Sequence, residues 1–497
     1  MSFNSLVFLI FLVTVLVLYY VLPHRVRWIM LLIASYIFYA YWNFYLIFLI
    51  LSTTLVSYLA GLFIGKAKKQ ATRNFFLVIT LVICFGLLLF FKYFNFLSGS
   101  MTALFRIFGM QVDDFFLDLI LPVGISFYTF QTLSYVIDVY RGSIEPERHI
   151  GYFALFVSYF PQLVAGPIER PQDLIPQLKE KHKFDKNNLW QGFKIMAAGF
   201  VKKVVIADTL ASYVDSVYNA PDLGQVTGFS VLLATAVFII QIYCDFSGYS
   251  DIATGCAKMM GVDLTVNFDR PLSSESLNDF WSRWHISLNT WFRDYVYLPL
   301  NYRAMGKKHL RARVYLNLLI VFFISGLWHG ANWTFVVWGM YNGVCQVLEG
   351  VLKKPKSAIC SRFGWRENGP KTRILRILKT NIILFFGLII FRSNSLGDAF
   401  LFFGKLFSDW SLTAQYFTGT FSLMGLDVVG AITAVMLTAV MFTLDKLVIA
   451  TRGKDVLPGE SKVVAGSRYV YIVWLIAAAW LLLISLGQTS AFIYFQF

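Results

Sequence analysis

FFLVITLVICFGLLLFF (75–91) decides how the rest of the chain is read. It carries no charge, and with its neighbours to residue 97 it matches the roughly 20 apolar residues that a helix needs to cross a hydrocarbon core. FLIFLVTVLVLYYVL (8–22) reads the same way. Working outward, the 497 residues are 57% hydrophobic and 18% aromatic, with a mean hydropathy of +0.63. Only 14% are charged, against about 25% in soluble domains. This composition excludes a soluble enzyme, a disordered protein and a disulfide scaffold. It predicts an all-α polytopic membrane protein.

Long apolar segments lie at 3–22, 44–64, 75–97, 116–137, 228–246, 332–351, 377–392, 427–449 and 469–487. Shorter or more polar ones lie at 28–42, 151–166, 190–211 and 314–328. Nine to twelve crossings are expected, some of them re-entrant or interfacial. Segment 190–211, with Lys194, Lys202 and Lys203 among apolar residues, reads as an interfacial helix. The basic stretches 66–73, 179–186, 303–313, 353–379 and 452–468 are assigned to the cytoplasm by the positive-inside rule. That rule explains the net charge of +15 without nucleic acid, and such loops favour anionic lipid headgroups. MSFNS runs directly into an apolar stretch with no basic leader, so an uncleaved first helix is expected. Cys84, Cys244, Cys256, Cys345 and Cys360 lie far apart, without metal-ligand spacing, and read as inert thiols. No repeat or soluble segment interrupts the chain, and residues 1–497 read as one membrane-embedded domain.

Between Ile242 and Arg313 the composition changes. Asp245, Asp251, Asp263, Asp269, Glu275, Asp279 and Asp294 gather there with Arg270, Arg283, Arg293 and Arg303. Charges near a bilayer are usually paired or line a wet cavity, although a solvated cytoplasmic loop would also hold them. Within DFWSRWHISLNTWFRDYVYL (279–298), Trp281, Trp284, Leu288 and Trp291 recur at helical spacing, and the stretch reads as one aromatic interfacial helix. Arg283 and Arg293 suit a phosphate or carboxylate. The interfacial reading accounts for the tryptophans and arginines but not for His285.

Four of the six histidines, His24, His149, His182 and His309, stand beside charged residues in expected loops. His329 stands in NLLIVFFISGLWHGANWTFVVWGMYNG (317–343), which is free of acids, Lys and Arg. From Arg313 a helix would rise about 24 Å to reach it, which is deep in a core of about 30 Å. Gly326, Gly330 and Asn332 mark a break between two helices, which requires protein or a cavity around it. An ionisable residue at that depth is a functional candidate, the alternative being a neutral histidine bonded to a neighbouring helix. His285 and His329 would then face one cavity, and histidine suits general-base work near neutral pH. No P-loop, GxSxG elbow, HExxH, dinucleotide fingerprint or metal-binding pattern accompanies them.

Six stretches carry a family resemblance: LPVGISFYTFQTLSYVIDVYRG (121–142), YFPQLVAGPIERPQDLIPQL (159–178), YCDFSGYSDIATGCAKMMG (243–261), NFDRPLSSESLNDFWSRWHISLNTWFRDYVYLPL (267–300), SGLWHGANWTFVVWGMYNG (325–343) and FIYFQF (492–497). In order and content the chain resembles the membrane-bound O-acyltransferases of the bacterial alginate O-acetyltransferase type. The resemblance implies about eleven spanning helices and several interfacial ones around a central tunnel, in the bacterial cytoplasmic membrane. It implies that His329, in the WHG motif, is catalytic and that His285, in the FWxRWHISL motif, lies along the same tunnel.

The implied activity is transfer of an acetyl group from cytoplasmic acetyl-coenzyme A, a substrate and not a resident cofactor, to an extracytoplasmic polysaccharide. Alginate, cellulose, another exopolysaccharide and peptidoglycan all remain open as acceptors. A periplasmic partner protein is expected to relay the acetyl group. His329 would act as base, and His285 would position the thioester or bond the oxyanion. Arg283, Arg293 and the Lys307–Arg313 cluster are candidates for the donor's phosphates. Asp245 and Asp251 are candidates for ordering the tunnel, with Trp328 and Asn332 beside the motif histidine. Two rival readings are a D-alanyl transferase of the teichoic-acid type, which takes its acyl group from a carrier protein, and a transporter of lipid-linked sugars.

Overall fold

The computed structural model describes residues 1–451 apart from 2, 4, 165 and 363–368. The expected span at 469–487, the basic 452–468 stretch and the FIYFQF tail lie outside the described residues. Everything described is helix, turn or coil, with one isolated bridge between Phe268 and Trp284. Among the described residues seven helices are long and apolar enough to cross a membrane: Leu46–Lys66, Gln70–Ile107, Gly228–Met259, Leu310–His329, Trp333–Leu352, Thr372–Arg392 and Val428–Lys446. Leu6–Val21 is apolar but shorter. Isoleucines, leucines and phenylalanines along these helices are exposed, as lipid-facing residues must be. The protein is a multi-pass membrane protein.

The chain folds as two compact units, Met1–Met196 with Ser250–Val266, and Ala197–Tyr249 with Asn267 onward. The first holds α1 (Leu6–Val21), α2 (His24–Ala40), α3 (Leu46–Lys66), α4 (Gln70–Leu88), α5 (Phe94–Ile107), α6 (Ile125–Arg141), α7 (Ile150–Ser158) and α8 (Pro171–Lys179). A short π turn joins α4 to α5 in one rod. The span read at 116–137 is corrected here. Its first residues lie outside any helix, and the helix starts at Ile125, after Pro122 and a left-handed Gly124. A side chain at 124 would strike the Leu163 carbonyl at 2.7 Å. Most of α6 is buried despite its many polar residues. Thr132 and Ser134 donate to carbonyls of their own helix, and Gln131 donates to the Phe156 carbonyl at 2.7 Å.

Glu169 of the AGPIERP stretch is buried in this unit and accepts from both the Thr265 backbone N–H (2.6 Å) and its hydroxyl (2.9 Å). Burial pushes its carboxyl up from 4.5 to about 7, against the pull of the two Thr265 bonds. The folded state therefore holds this proton more tightly than the unfolded chain does, and stability falls as pH rises between those values. We expect Glu169→Gln, which mimics the protonated acid, to flatten that slope. The check is the thermal unfolding midpoint of detergent-solubilised protein at pH 6 and pH 8, where the wild type should lose more than the variant.

The second unit takes in the end of α9 (Lys186–Phe200), a π segment Val201–Ala207, α10 (Asp208–Tyr218) and most of α11 (Gly228–Met259). It continues with α12 (Leu277–Arg283), α13 (Ile286–Phe292), α14 (Leu298–Ala304), α15 (Leu310–His329), α16 (Trp333–Arg362), α17 (Pro370–Arg392), α18 (Leu396–Ser408), α19 (Ala414–Leu423) and α20 (Val428–Thr451). The interfacial reading of 190–211 does not hold for Lys202 and Lys203, which are 2% and 5% exposed. Lys202 pairs with Asp445 at 2.7 Å. Lys203 sits between Asp208 (2.8 Å) and Asp245 (2.5 Å). Such charges are tolerated in a low-dielectric interior only when each has its partner. Lys203→Met should therefore destabilise the fold by about 3–5 kcal/mol by stranding two carboxylates. Thermal unfolding would show a large drop in midpoint that Lys203→Arg partly restores.

Candidate active site

His329 is the last residue of α15, and Gly330 and Asn332 turn the chain into α16. The two helices cross closely. A methyl group on Gly326 would lie 2.4 Å from the Phe335 carbonyl oxygen, and one on Gly339 would lie 2.3 Å from that of Phe322. Small residues at such crossings let helix backbones approach inside a membrane. Asn332 fixes the turn, accepting from the Thr334 N–H at 3.0 Å and donating to the Asn394 carbonyl at 3.0 Å. His329 is thereby fixed edge-on against Trp338, at 4.9 Å between ring centres, with Phe391 at 5.7 Å.

His285 lies in a break of the chain. Helical spacing across 279–298 predicts one helix, but α12 ends at Arg283 and α13 begins at Ile286. His285 itself has left-handed backbone angles, φ 45° and ψ 53°. That conformation is uncommon for a residue with a side chain and must be held by its surroundings. Residues 267–269 hold it: Asn267 takes the Ile286 N–H on its carbonyl, and Ser287 donates twice to the Asn267 side chain, at 3.1 and 2.8 Å. Asp269 donates to the Arg283 carbonyl at 2.9 Å. Asn289 caps the other side, donating to the carbonyls of Trp281 and Trp284. The amphipathic period is real, but these bonds outweigh it.

The two histidines are 1% and 4% exposed and share one neighbour. Trp328 lies 5.7 Å from the His285 ring and 5.1 Å from that of His329, while Phe246 meets His285 edge-on at 4.6 Å. His285 lies outside the spanning helices. Burial, reinforced by the nearby charge of His329, holds it well below the ordinary histidine value. It is therefore a neutral ring, able to accept at one nitrogen and donate at the other.

His329 opens on a cavity with an empty volume of about 530 Å³, counting the part open to the outside. Ile239, Leu272, Trp284, Leu388 and Phe391 form much of its apolar wall, and Trp281, Trp338 and Asn342 also line it. Glu349 secures α12 by accepting from the Leu277 N–H at 2.9 Å, and Lys379 pairs with the same carboxylate. Asn381 of α17 donates to the Leu272 carbonyl at 3.0 Å.

The sequence candidates separate in this geometry. His285, Trp328 and His329 come together, and Asn332 forms the turn beside them. Arg283 is ion-paired to Asp279 at 2.7 Å, and Arg293, 59% exposed at its side chain, pairs with Asp294 at 2.8 Å. Asp245 is committed to Lys203, and Asp251 is buried in the first unit. Trp338 and Asn342 lacked any sequence assignment. The usable signal was their i, i+4 spacing in WGMYNG, which sets both on one helix face.

The sequence profile of the membrane-bound O-acyltransferase family matches residues 37–391, which include both histidines. The chain belongs to this family. It is 37% identical, over the whole of both chains, to the probable alginate O-acetylase AlgI of Azotobacter vinelandii. It is 34% identical to the peptidoglycan O-acetyltransferase of Helicobacter pylori, over 63% of this chain and 62% of that one. The teichoic acid D-alanyltransferase of Bacillus subtilis is 27% identical over 55% of this chain and 69% of its own. The protein is an O-acyltransferase, and a buried histidine on an apolar cavity, with a second histidine across Trp328 from it, is chemistry suited to that class.

The glycine crossing is testable by itself. Gly339→Ala would drive its methyl group into a backbone oxygen, whereas Gly343→Ala meets side-chain atoms at 3.0–3.1 Å that can shift. The first should cost about 1–3 kcal/mol and the second less. Unfolding midpoints and acyl-transfer rates of the two variants, measured together, check this order.

Proposed function

We propose that this O-acyltransferase moves an acetyl group from cytoplasmic acetyl-coenzyme A to an extracytoplasmic, alginate-like polysaccharide across a bacterial cytoplasmic membrane. The likeness to the Azotobacter alginate O-acetylase along both entire chains carries the choice of acetyl and glycan. The buried His285–Trp328–His329 cluster supports the chemistry.

An acceptor hydroxyl gives its proton to His329 as its oxygen attacks the thioester carbonyl, forming a tetrahedral oxyanion. His285, neutral and one indole away, donates to that oxyanion. As the intermediate collapses, the carbon–sulfur bond breaks and His329 returns its proton to the departing thiolate. Lys307, Lys308, Arg311 and Arg313, at the end of α15 expected on the cytoplasmic side, supply positive charge for the donor's phosphates. The hydroxyl belongs either to the glycan or to a periplasmic partner that passes the acetyl group on.

The experiment uses purified protein in nanodiscs with radiolabelled acetyl-coenzyme A, the acceptor glycan and its partner. His329→Ala should abolish coenzyme A release and label transfer while insertion stays normal. His285→Ala should slow transfer by about 10²–10³-fold. No consumption of acetyl-coenzyme A by the wild type, with turnover of an acyl carrier protein instead, would overturn the donor assignment and favour the D-alanyl type of reaction.

A further inference from the structure

Tyr243 of α11 joins the buried charges of the second unit to the chain break that carries His285. Its hydroxyl donates to Oδ2 of Asp445 at 2.7 Å, and Oδ1 of the same carboxylate pairs with Lys202 at 2.7 Å. The Lys202 ammonium also stands over the tyrosine ring, 5.6 Å from its centre. All three residues are buried. Both carboxylate oxygens are thus engaged, and hydrogen bonds to a charged acceptor are short and strong. The ring of Tyr243 meets the aromatic side chains around His285. Its centre lies 6.1 Å from that of Trp284, the residue before the histidine, and 5.9 Å from that of Phe268. Phe268 in turn meets Trp284 edge-on at 5.1 Å and Phe246 at 5.0 Å, and Phe246 meets the imidazole at 4.6 Å. Tyr243 and Phe246, three positions apart on α11, share one helix face.

Stability alone does not call for this arrangement, because well-packed apolar residues can replace a buried ion pair without loss. What the charges add is direction. Contacts between phenyl rings change little when a ring slides by a fraction of an ångström. A hydroxyl bonded to a carboxylate is confined in both distance and angle. The bonds from Asn267 and Asn289 fix the backbone at the break, and the imidazole is packed by Phe246 and Trp328. We propose that Tyr243 is a positioning residue for His285. Asp445 and Lys202 fix its hydroxyl, its ring fixes Phe268 and Trp284, and these hold the imidazole where it serves the transfer. This rests on the role of His285 in the reaction proposed above, and it gives the Lys202–Asp445 pair a use beyond mutual neutralisation.

The test is a double-mutant cycle on the full chain in nanodiscs, with the acceptor glycan and its partner. The donor is acetyl-coenzyme A, or acylated carrier protein if the wild type turns over that instead. Tyr243→Phe keeps the ring and removes the hydroxyl. It should lower kcat about tenfold and change KM by less than about twofold, because a displaced catalytic group weakens the transition state more than substrate binding. In a His285→Ala background the same substitution should change kcat by less than about twofold, since no imidazole is left to position. Phe268→Leu breaks the path at the next ring, leaves the ion pair intact and should behave in the same way. Where Tyr243→Phe does not fold, Phe268→Leu decides alone. Equal losses with and without His285 would assign Tyr243 to the fold in general and overturn the inference, while His285 keeps its role. Unchanged kcat in both single variants would overturn it as well. If His285→Ala itself runs at the wild-type rate, the catalytic reading of His285 falls, and the positioning of it by Tyr243 falls too.

Discussion

Every polar group carried into hydrocarbon must find its partner inside the protein, and that requirement organises this molecule. It explains why Lys203 lies between Asp208 and Asp245, and why Lys202 and Tyr243 share Asp445. It explains the hydroxyls of α6 folded back on their own carbonyls. The same requirement decides where the backbone can break. At the Gly330–Asn332 turn the Asn332 side chain takes up the Thr334 N–H and donates to the Asn394 carbonyl, and at Trp284–His285 the freed groups are taken up by Asn267 and Asn289. Three asparagine side chains, those of Asn332, Asn267 and Asn289, each able to donate and accept, make two breaks possible at places where a helix would otherwise continue. Both breaks carry a histidine.

A residue at a helix break is fixed by more of the protein than a residue within a helix. His329 takes its position from the crossing at Gly326 and Gly339, and His285 from its left-handed backbone and the strip 267–269 beneath it. The side chains packed around them are mainly aromatic, and that tight packing keeps the geometry of both imidazoles.

The spans were legible because composition alone reports burial in lipid: a run such as 75–91 has no other stable environment. His329 was legible because counting helical rise from Arg313 places it deep in the membrane. The break before His285 was not, because Trp281, Trp284, Leu288 and Trp291 keep a helical period straight through it, and the opposing bonds come from residues up to twenty positions away. Lys202 and Lys203 misled for a related reason. A lysine in an apolar segment reads as surface until its carboxylates are located, and Asp445 is more than two hundred residues distant. Cys84, Cys244 and Cys256 are buried, in keeping with their apolar neighbours in the sequence. Asn342 was silent because sequence cannot say which face of α16 meets a cavity.

The transfer across a membrane proposed above requires that two substrates reach one point without opening a path for ions. The aromatic cluster suits both demands. Trp281, Trp284, Trp338 and Phe391 wall the cavity with flat, stiff rings that offer no continuous line of hydrogen-bonding atoms to a hydrated ion. In the proposed reaction, the charge made at His329 and on the oxyanion arises and disappears within the same collapse. An isolated ion in such a cavity would remain unpaired and costly. Low polarity is therefore what allows one site to serve as both catalyst and barrier.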